Sequence, residues 1–221
     1  MDDAGFHAGR RDFLSLAASA AVGFGAGVPL ARHIPASQDQ STEFTRWLDS
    51  IPGSHKQLYD MPEVNQGIGL VWSWAFLTTG APAYGLPEKD LGVVIVLRHN
   101  AIPLALTDSA WTKYKLGEVF KIEDPDTHAP AVRNPFYHMP GAFAVPEAAL
   151  QKLIARGVKV AVCNLAITIS SGTVAQKMGL KHDDVNRDWI DAVFAGIQVV
   201  PSGVVACNGA ASRGCAYIFA G

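Results

Sequence analysis

Leu91-Gly-Val-Val-Ile-Val-Leu97 is the stretch that decides the fold, together with Val158-Lys-Val-Ala-Val-Cys163. Both are short and almost continuous runs of aliphatic residues, most of them β-branched. Strands that are buried on both faces have this composition, because helices cover both sides of a parallel sheet. The two runs therefore predict the central strands of a parallel β-sheet.

Three weaker runs predict further strands, at Gln57 to Met61, Ile197 to Val200 and Ala216 to Phe219. Helical patterns separate the strands, around Val64 to Thr78, Asp108 to Lys115, Pro146 to Gly157, Asp183 to Ala195 and Ser202 to Arg213. An alternation of strands and helices is typical of βαβ units. The sequence predicts an α/β domain with a five-stranded, mostly parallel sheet that helices cover on both faces.

The segment from Leu116 to Gly141 breaks this alternation. It is rich in Pro, His, Asp and Asn, and it contains Asn134 and His138. A loop of this length in a compact domain is usually a lid, a binding loop or an interface arm. We therefore count Asn134 and His138 among the candidate ligand-binding residues.

The beginning of the chain has the features of a twin-arginine export signal. Arg10-Arg11-Asp12-Phe13-Leu14 opens a weakly hydrophobic run, rich in Ala and Gly, that ends near Leu30. The run falls short of the roughly 20 strongly apolar residues that a spanning helix needs, so no stable membrane insertion is expected. An uncleaved anchor or a chance pair of arginines is the alternative.

These features predict the organisation of the chain and its location. Residues 1–36 are expected to be the signal, with an uncertain cleavage site, and residues 37–54 a linker or helix. Residues 55–221 are expected to form the folded domain, with the long loop at 116–141. Export by the twin-arginine pathway would place the mature protein in the periplasm.

Composition restricts the partners and the thiol chemistry. The formal net charge is −2 and the body has no run of Lys or Arg, so no nucleic-acid partner is expected. The chain has an odd number of cysteines, Cys163, Cys207 and Cys215. At least one thiol therefore has no disulfide partner unless it pairs between chains. On one continuous helix Cys207 and Cys215 would lie about 12 Å apart, so a disulfide between them would need a turn.

Reactive side chains follow the two central strands. Arg98-His99-Asn100 comes directly after the first strand, and Cys163-Asn164 closes the second. Ligands gather at the carboxyl ends of parallel strands, so Cys163 and His99 could face one crevice if the strands are neighbours. A helix that begins after Cys163 would place partial positive charge beside the thiol and favour the nucleophilic thiolate. Cys163 and His99 are the candidate catalytic residues, and Arg98, Asn100 and Asn164 are further candidates for ligand binding.

The two catalytic candidates also have structural interpretations. Cys163 could be a small buried hydrophobic residue, and His99 could be a histidine whose ring is satisfied by backbone groups. The histidines and cysteines are metal-ligand types, yet none has the tight spacing of a metal site, so neither a metal nor another cofactor is predicted. The sequence contains no Walker motif, dinucleotide-binding fingerprint or serine-hydrolase elbow.

The body of the chain resembles the DsrE-like proteins in three segments, Gly157-Val-Lys-Val-Ala-Val-Cys163, Val199-Val-Pro-Ser-Gly-Val-Val205 and Gly214-Cys-Ala-Tyr-Ile218. The resemblance runs from about His55 to Phe219 and is closest to an exported branch. Leu97-Arg98-His99, the stretch from Ala110 to Glu118 and Asn134-Pro135-Phe136 also resemble that branch. The resemblance implies a three-layer α/β/α sandwich and a homo-oligomer, either a trimer or a hexamer.

The resemblance also implies a chemistry. In the sulfur-relay members of the family a cysteine at the end of a central strand carries sulfane sulfur as a persulfide. Cys163 matches that position, whereas Cys207 and Cys215 do not. A thiolate there would attack the outer sulfur of a donor, hold it and pass it to an acceptor thiol. The expected partner is a small sulfur-containing ligand or a partner thiol protein, and His99 is expected to polarise the sulfur or shuttle a proton.

A different class of function remains open at this stage. The protein could be a non-catalytic, oligomeric binding module that uses the loop at 116–141 and its histidines to hold a small ligand or a metal. In that case Cys163 would be dispensable.

Overall fold

The computed structural model describes residues 38–139, 141, 143 and 145–221. Every described residue belongs to one compact unit, Ala36–Gly221. The predicted export signal lies outside the described residues. Within the described part, no helix is both long and apolar enough to span a membrane.

Five parallel strands form the sheet, which confirms the predicted architecture. They are β1 (His55–Met61), β2 (Leu91–Leu97), β3 (Lys159–Cys163), β4 (Ile197–Val200) and β5 (Cys215–Phe219), in the spatial order β4-β3-β2-β1-β5. β2 is the middle strand and is buried along its whole length, as its aliphatic composition indicates. β2 and β3 are neighbours, so their carboxyl ends meet at one edge of the sheet.

Helices cover both faces of the sheet and complete an α/β/α sandwich. They are α1 (Gln38–Asp49), α2 (Ile68–Tyr84), α3 (Asp108–Tyr114), α4 (Leu116–Phe120), α5 (Leu150–Ala155), α6 (Asn164–Met178), α7 (His182–Asp191) and α8 (Gly203–Ala211). Short 3₁₀ helices lie at Asn65–Gly67, Glu88–Asp90, His99–Ala105 and Pro146–Ala148.

Several helical boundaries differ from the sequence prediction; the helix predicted at Asp183 to Ala195, for example, is His182–Asp191. The predicted loop at 116–141 begins with the short helix α4, whose Leu116 and Gly117 are buried. A Cβ at Gly117 would lie 2.2 Å from the carbonyl oxygen of Ala131, so the loop packs directly against this helix. The helix predicted to end at Thr78 continues through Pro82 to Tyr84, because the left-handed Gly85 is its C-terminal cap.

The sheet has two unequal faces. On the broad face, residues such as Tyr59, Ile95 and Val162 belong to a large core that includes residues of α2, α5, α6 and α7. On the narrow face, Leu58, Val96 and Ala161 belong to a smaller core with residues of α1 and α8. Side chains alternate between the two faces along a strand. The position of a residue directly after a strand therefore decides on which face of the sheet its side chain lies.

Candidate functional site

The carboxyl ends of β2 and β3 bring Arg98 and Cys163 to the same level. Leu97 pairs with Val162, so Arg98 and Cys163 are the next residues of adjacent strands. Both follow the alternation of the narrow face, on which Val96 and Ala161 lie. The two side chains therefore start from neighbouring positions under α8.

Cys163 is the N-cap of α6, a helix of 15 residues. The Cys163 side chain is 5% exposed, and its Sγ accepts a hydrogen bond of 3.3 Å from the backbone N–H of Ala166. The next residue, Asn164, has a buried Oδ1 without a hydrogen-bond partner in the described part of the chain. An N–H donor and the positive end of the helix both stabilise negative charge on the sulfur atom.

Arg98 is anchored by the buried carboxylate of Asp60, at the end of β1. The guanidinium donates from Nε to Oδ1 at 2.7 Å and from Nη2 to Oδ2 at 2.9 Å, and the Tyr217 hydroxyl also donates to Oδ2 at 2.8 Å. Burial raises the pKa of Asp60, but the hydrogen bonds from Arg98 and Tyr217 outweigh it and hold this pKa below its ordinary value. Asp60 is therefore an ionised carboxylate at neutral pH.

Asp60 and Tyr217 are not among the site residues predicted from the sequence. A usable signal was present, because Asp60 is an acidic residue within a predicted strand, Gln57 to Met61. A charged group in a buried strand needs a partner. The sequence does not show which cation supplies it.

Cys207 reaches the same carboxylate from α8. It packs at the margin of the narrow-face core, and the negative charge of Asp60 acts on its thiol. Burial, followed by the negative charge of Asp60, raises the pKa of Cys207 to about 12. Cys207 is therefore a protonated thiol at rest. We call Asp60, Arg98, Cys163, Cys207 and Tyr217 the thiol cluster.

Cys215 lies apart from this cluster. It is level with Lys56 at the start of β1, whereas Asp60 lies about 13 Å further along the strand. All three cysteines are free thiols in this structure.

His99 and Asn100 gather around Glu63 and not around Cys163. His99 Nδ1 lies 3.1 Å from Glu63 Oε1, and Asn100 Nδ2 donates to both carboxylate oxygens, at 2.9 and 3.0 Å. The His99 side chain is 65% exposed. The structure thus places Arg98 beside Cys163, and His99 in a separate hydrogen-bonded group.

A cavity of about 580 Å³ lies between this group and the long loop. We call it the loop cavity; its lining includes Glu63, Gln66, Asn100, Lys121, His128 and Phe136. Four of its lining residues other than glycine have a positive φ, Asn65 at 40°, Gln66 at 55°, Lys121 at 54° and His128 at 56°. Such conformations cost energy for residues other than glycine, and they concentrate at functional sites.

The two loop residues predicted to bind ligand have other partners. Asn134 is 3% exposed; its amide nitrogen donates to three carbonyl groups of the segment 103–106, and its Oδ1 accepts from the N–H groups of residues 136–137. His138 is exposed, and its Nδ1 lies 2.8 Å from Gln151 Oε1. Neither residue is among those that line the loop cavity. Asn134 has no free donor or acceptor for a ligand and instead fixes the loop.

Comparison of the chain with protein-family models and with curated protein sequences finds no match. Within the part of the chain that the structure describes, no three side chains of His, Cys, Asp or Glu are grouped as a metal site would require. The thiol cluster and the loop cavity are therefore the two regions from which a function can be argued.

Proposed function

We propose that this protein carries sulfane sulfur on Cys163, as the resemblance to DsrE-like relay proteins implies. The observation that carries the proposal is the position of the Cys163 Sγ. It lies at the end of a central strand and accepts an N–H bond at the start of a 15-residue helix. A helix N-terminus and an N–H donor stabilise the negative charge that a sulfur nucleophile carries as it reacts.

The chemistry that we propose begins with the attack of the Cys163 thiolate on the outer sulfur of a polysulfide or persulfide donor. The resulting persulfide also carries negative charge near neutral pH, and the α6 N-terminus and the Arg98 guanidinium would stabilise it. Arg98 is suited to this role because 27% of its side chain is exposed and because it occupies the position beside Cys163. We assign the polarising role to Arg98 instead of His99, since His99 is hydrogen-bonded to Glu63.

The location and assembly are part of the same proposal. The twin-arginine pattern at Arg10-Arg11 supports function in the periplasm. The resemblance supports a homo-oligomer, and the edge strand β5 offers exposed Tyr217, Ile218 and Phe219 as a surface for subunit contact. The proposed acceptor is a small thiol or the thiol of a partner protein.

The proposal is tested by sulfur loading. Purified protein is incubated with inorganic polysulfide, freed of excess reagent and treated with cyanide, and thiocyanate is measured. We expect about one sulfur atom per wild-type chain, and a loss of roughly tenfold or more in Cys163→Ser, because the other thiols do not replace the lost nucleophile. Cys215→Ser is the matched control and should load as wild type does. Equal loading of Cys163→Ser and wild type would refute the proposal.

The loop cavity supports a second candidate function, the binding of a small ligand without catalysis. Its volume suits a ligand of moderate size, and the left-handed residues of its lining indicate a shape that is held at an energetic cost. Native mass spectrometry and elemental analysis of purified protein test this candidate. A stoichiometric ligand or metal that persists in Cys163→Ser and is lost in Asn100→Ala would favour it. A protein free of ligand in both variants and in wild type would count against it.

A further inference from the structure

Strand β5 is an edge of the sheet, and it is open on both of its faces. Among the described residues it pairs with β1 alone, and its last four residues are all exposed. Tyr217 and Phe219 are each 54% exposed, and Ile218 is 38% exposed. Edge strands are normally protected by charged side chains or proline, and Cys215–Phe219 contains neither. The strand is therefore an unprotected, apolar edge.

On the narrow face, the apolar surface continues from β5 onto α8. Tyr217 and Phe219 lie on this face, and α8 packs across it. One flank of α8 is covered by α1, because Gly209 packs against Leu48. At about 100° per residue, Val204 projects from the other flank, which faces β5, and it is 62% exposed. No helix within the described part of the chain covers this flank.

On the broad face, the same surface continues from β5 onto α2. Ile218 pairs with Tyr59 of β1, and the Tyr59 hydroxyl donates to the backbone carbonyl of Trp72 at 3.0 Å. The Trp72 side chain is 38% exposed. α2 has 17 residues and no charged side chain, although a helix at the surface normally has a polar face. We call β5, Trp72 and Val204 the β5 surface.

We infer that the β5 surface is the contact with a second copy of this chain, formed by antiparallel pairing of the two β5 strands around a two-fold axis. The inference rests on the homo-oligomer of the proposed function and names its contact, but it does not require sulfur on Cys163. The pairing joins two five-stranded sheets into one continuous sheet. Because the two-fold axis is perpendicular to the sheet, both narrow faces lie on the same side.

A second copy suits this surface in charge, geometry and area. α2, α8 and β5 contain no charged residue, so two copies meet without repulsion between like charges. Two identical antiparallel strands supply each other's backbone donors and acceptors. The exposed side chains of the β5 surface present about 500 Å². The strand backbone and the helix flanks extend this area toward the roughly 800 Å² per partner of a stable interface.

The contact also covers one side of the thiol cluster. The Tyr217 hydroxyl donates to Asp60 Oδ2, and Asp60 holds the Arg98 guanidinium. A partner strand beside Tyr217 removes water from this end of the network. Hydrogen bonds between charged groups become stronger when water is excluded, so the contact is expected to fix Arg98 more firmly beside Cys163.

Phe219→Lys tests the contact by placing two charges at the two-fold interface. Val132→Lys is the matched control, because Val132 is 69% exposed and lies in the long loop, outside the β5 surface. Sedimentation equilibrium of the purified full chain measures the mass of each assembly. We expect an even number of chains in wild type and in Val132→Lys. Phe219→Lys should have half that mass, with a dissociation constant raised roughly 100-fold or more.

Hydrogen exchange shows whether the strand backbone takes part in the contact. The amides of Cys215–Phe219 should exchange at least roughly tenfold faster in Phe219→Lys than in wild type and Val132→Lys, because the outer edge becomes free. The amides of Leu91–Leu97 should stay protected in all three proteins, which shows that the variants are folded. If they lose protection in Phe219→Lys, Ile218→Lys takes its place in both measurements.

Other outcomes would overturn the inference. A wild type with the mass of one chain or of an odd number of chains would do so, as would an assembly that Phe219→Lys leaves intact. A monomer with protected β5 amides would show that another segment of the same chain covers the edge. A monomer that binds phosphatidylcholine vesicles would show that lipid covers it.

Sulfur loading, measured on the same samples, separates this inference from the proposed function. If wild type loads sulfur on Cys163 and lacks the two-fold contact, only the inference fails. If wild type forms the contact and does not load sulfur, only the proposed function fails.

Discussion

The thiol cluster and the loop cavity lie near the same end of the sheet but are built in different ways. In the thiol cluster, side chains hold one another, and the Asp60 carboxylate accepts hydrogen bonds from Arg98 and Tyr217. In the loop cavity, the backbone holds the shape through left-handed residues such as Gln66 and Lys121. Charged and reactive groups are therefore concentrated in the thiol cluster, whereas space for a ligand is found in the loop cavity.

Loss of the Asp60 carboxylate should have the largest effect on stability. Asp60→Ala leaves the guanidinium of Arg98 and the hydroxyl of Tyr217 without their acceptor, and we expect the free energy of unfolding to fall by about 3 kcal/mol. Tyr217→Phe is the control, because it removes one donor from an exposed residue and should cost at most about 1 kcal/mol. Urea denaturation measures both. Equal effects of the two substitutions would show that Asp60 does not organise the cluster.

Asn134 provides the corresponding test in the loop. Asn134→Ala removes an amide that bonds backbone groups of segments 103–106 and 136–137, and we expect a loss of about 2 kcal/mol. His138→Ala, at an exposed position of the same loop, should change stability by less than about 0.5 kcal/mol. The same denaturation curves compare them. A small effect of Asn134→Ala would mean that other contacts hold the loop.

Acid should weaken the thiol cluster through Asp60. Its pKa is lowered in the folded protein, so its contribution is present above the unfolded-state pKa of about 4. This contribution is lost as the pH falls through the lower, folded-state pKa. The unfolding free energy of Asp60→Asn should therefore fall less than that of wild type when the pH is lowered from about 6 to 2. An equal loss of unfolding free energy in the two proteins over this pH range would contradict the lowered pKa of Asp60.

Substitution of a lysine with a left-handed backbone gives the smallest expected effect on stability. Two such lysines allow the effect on the cavity to be told apart from the effect on stability. Lys121 (φ 54°) lines the loop cavity, whereas Lys115 (φ 51°) is not among the lining residues. Glycine at either position should stabilise the protein by about 0.5 to 1 kcal/mol, because glycine adopts this conformation without a steric penalty. Calorimetry measures the gain. If the cavity binds a ligand, Lys121→Gly alone should weaken binding; destabilisation by both substitutions would show that the backbone is not strained.

The sheet was predictable from sequence because its strands are short apolar runs with few alternatives. The runs ending at Leu97 and Cys163 have a composition that favours buried parallel strands, and the structure contains both. The position of Cys163 at a strand end and before a helix followed from the same pattern. Local sequence was sufficient for these features.

The composition of the site was not predictable to the same degree. Asp60 and Tyr217 are brought together by the pairing of β1 with β5, which are far apart in sequence. His99 and Arg98 are adjacent in sequence, and only the alternation of side chains after β2 decides that Arg98 lies beside Cys163. The identity of Asn134 alone did not show that both its amide nitrogen and its Oδ1 form hydrogen bonds with backbone groups.

The most direct test of the account is the location of sulfur on the folded protein. Wild type and Cys207→Ser are exposed briefly to inorganic polysulfide, alkylated and digested, and the mass of each cysteine peptide is measured. The account predicts that the added sulfur atom appears on the Cys163 peptide, and that the Cys215 peptide remains unmodified. Sulfur on Cys215 or on no cysteine, with Cys163 recovered as an unreactive thiol, would contradict the account and leave the loop cavity as the functional site.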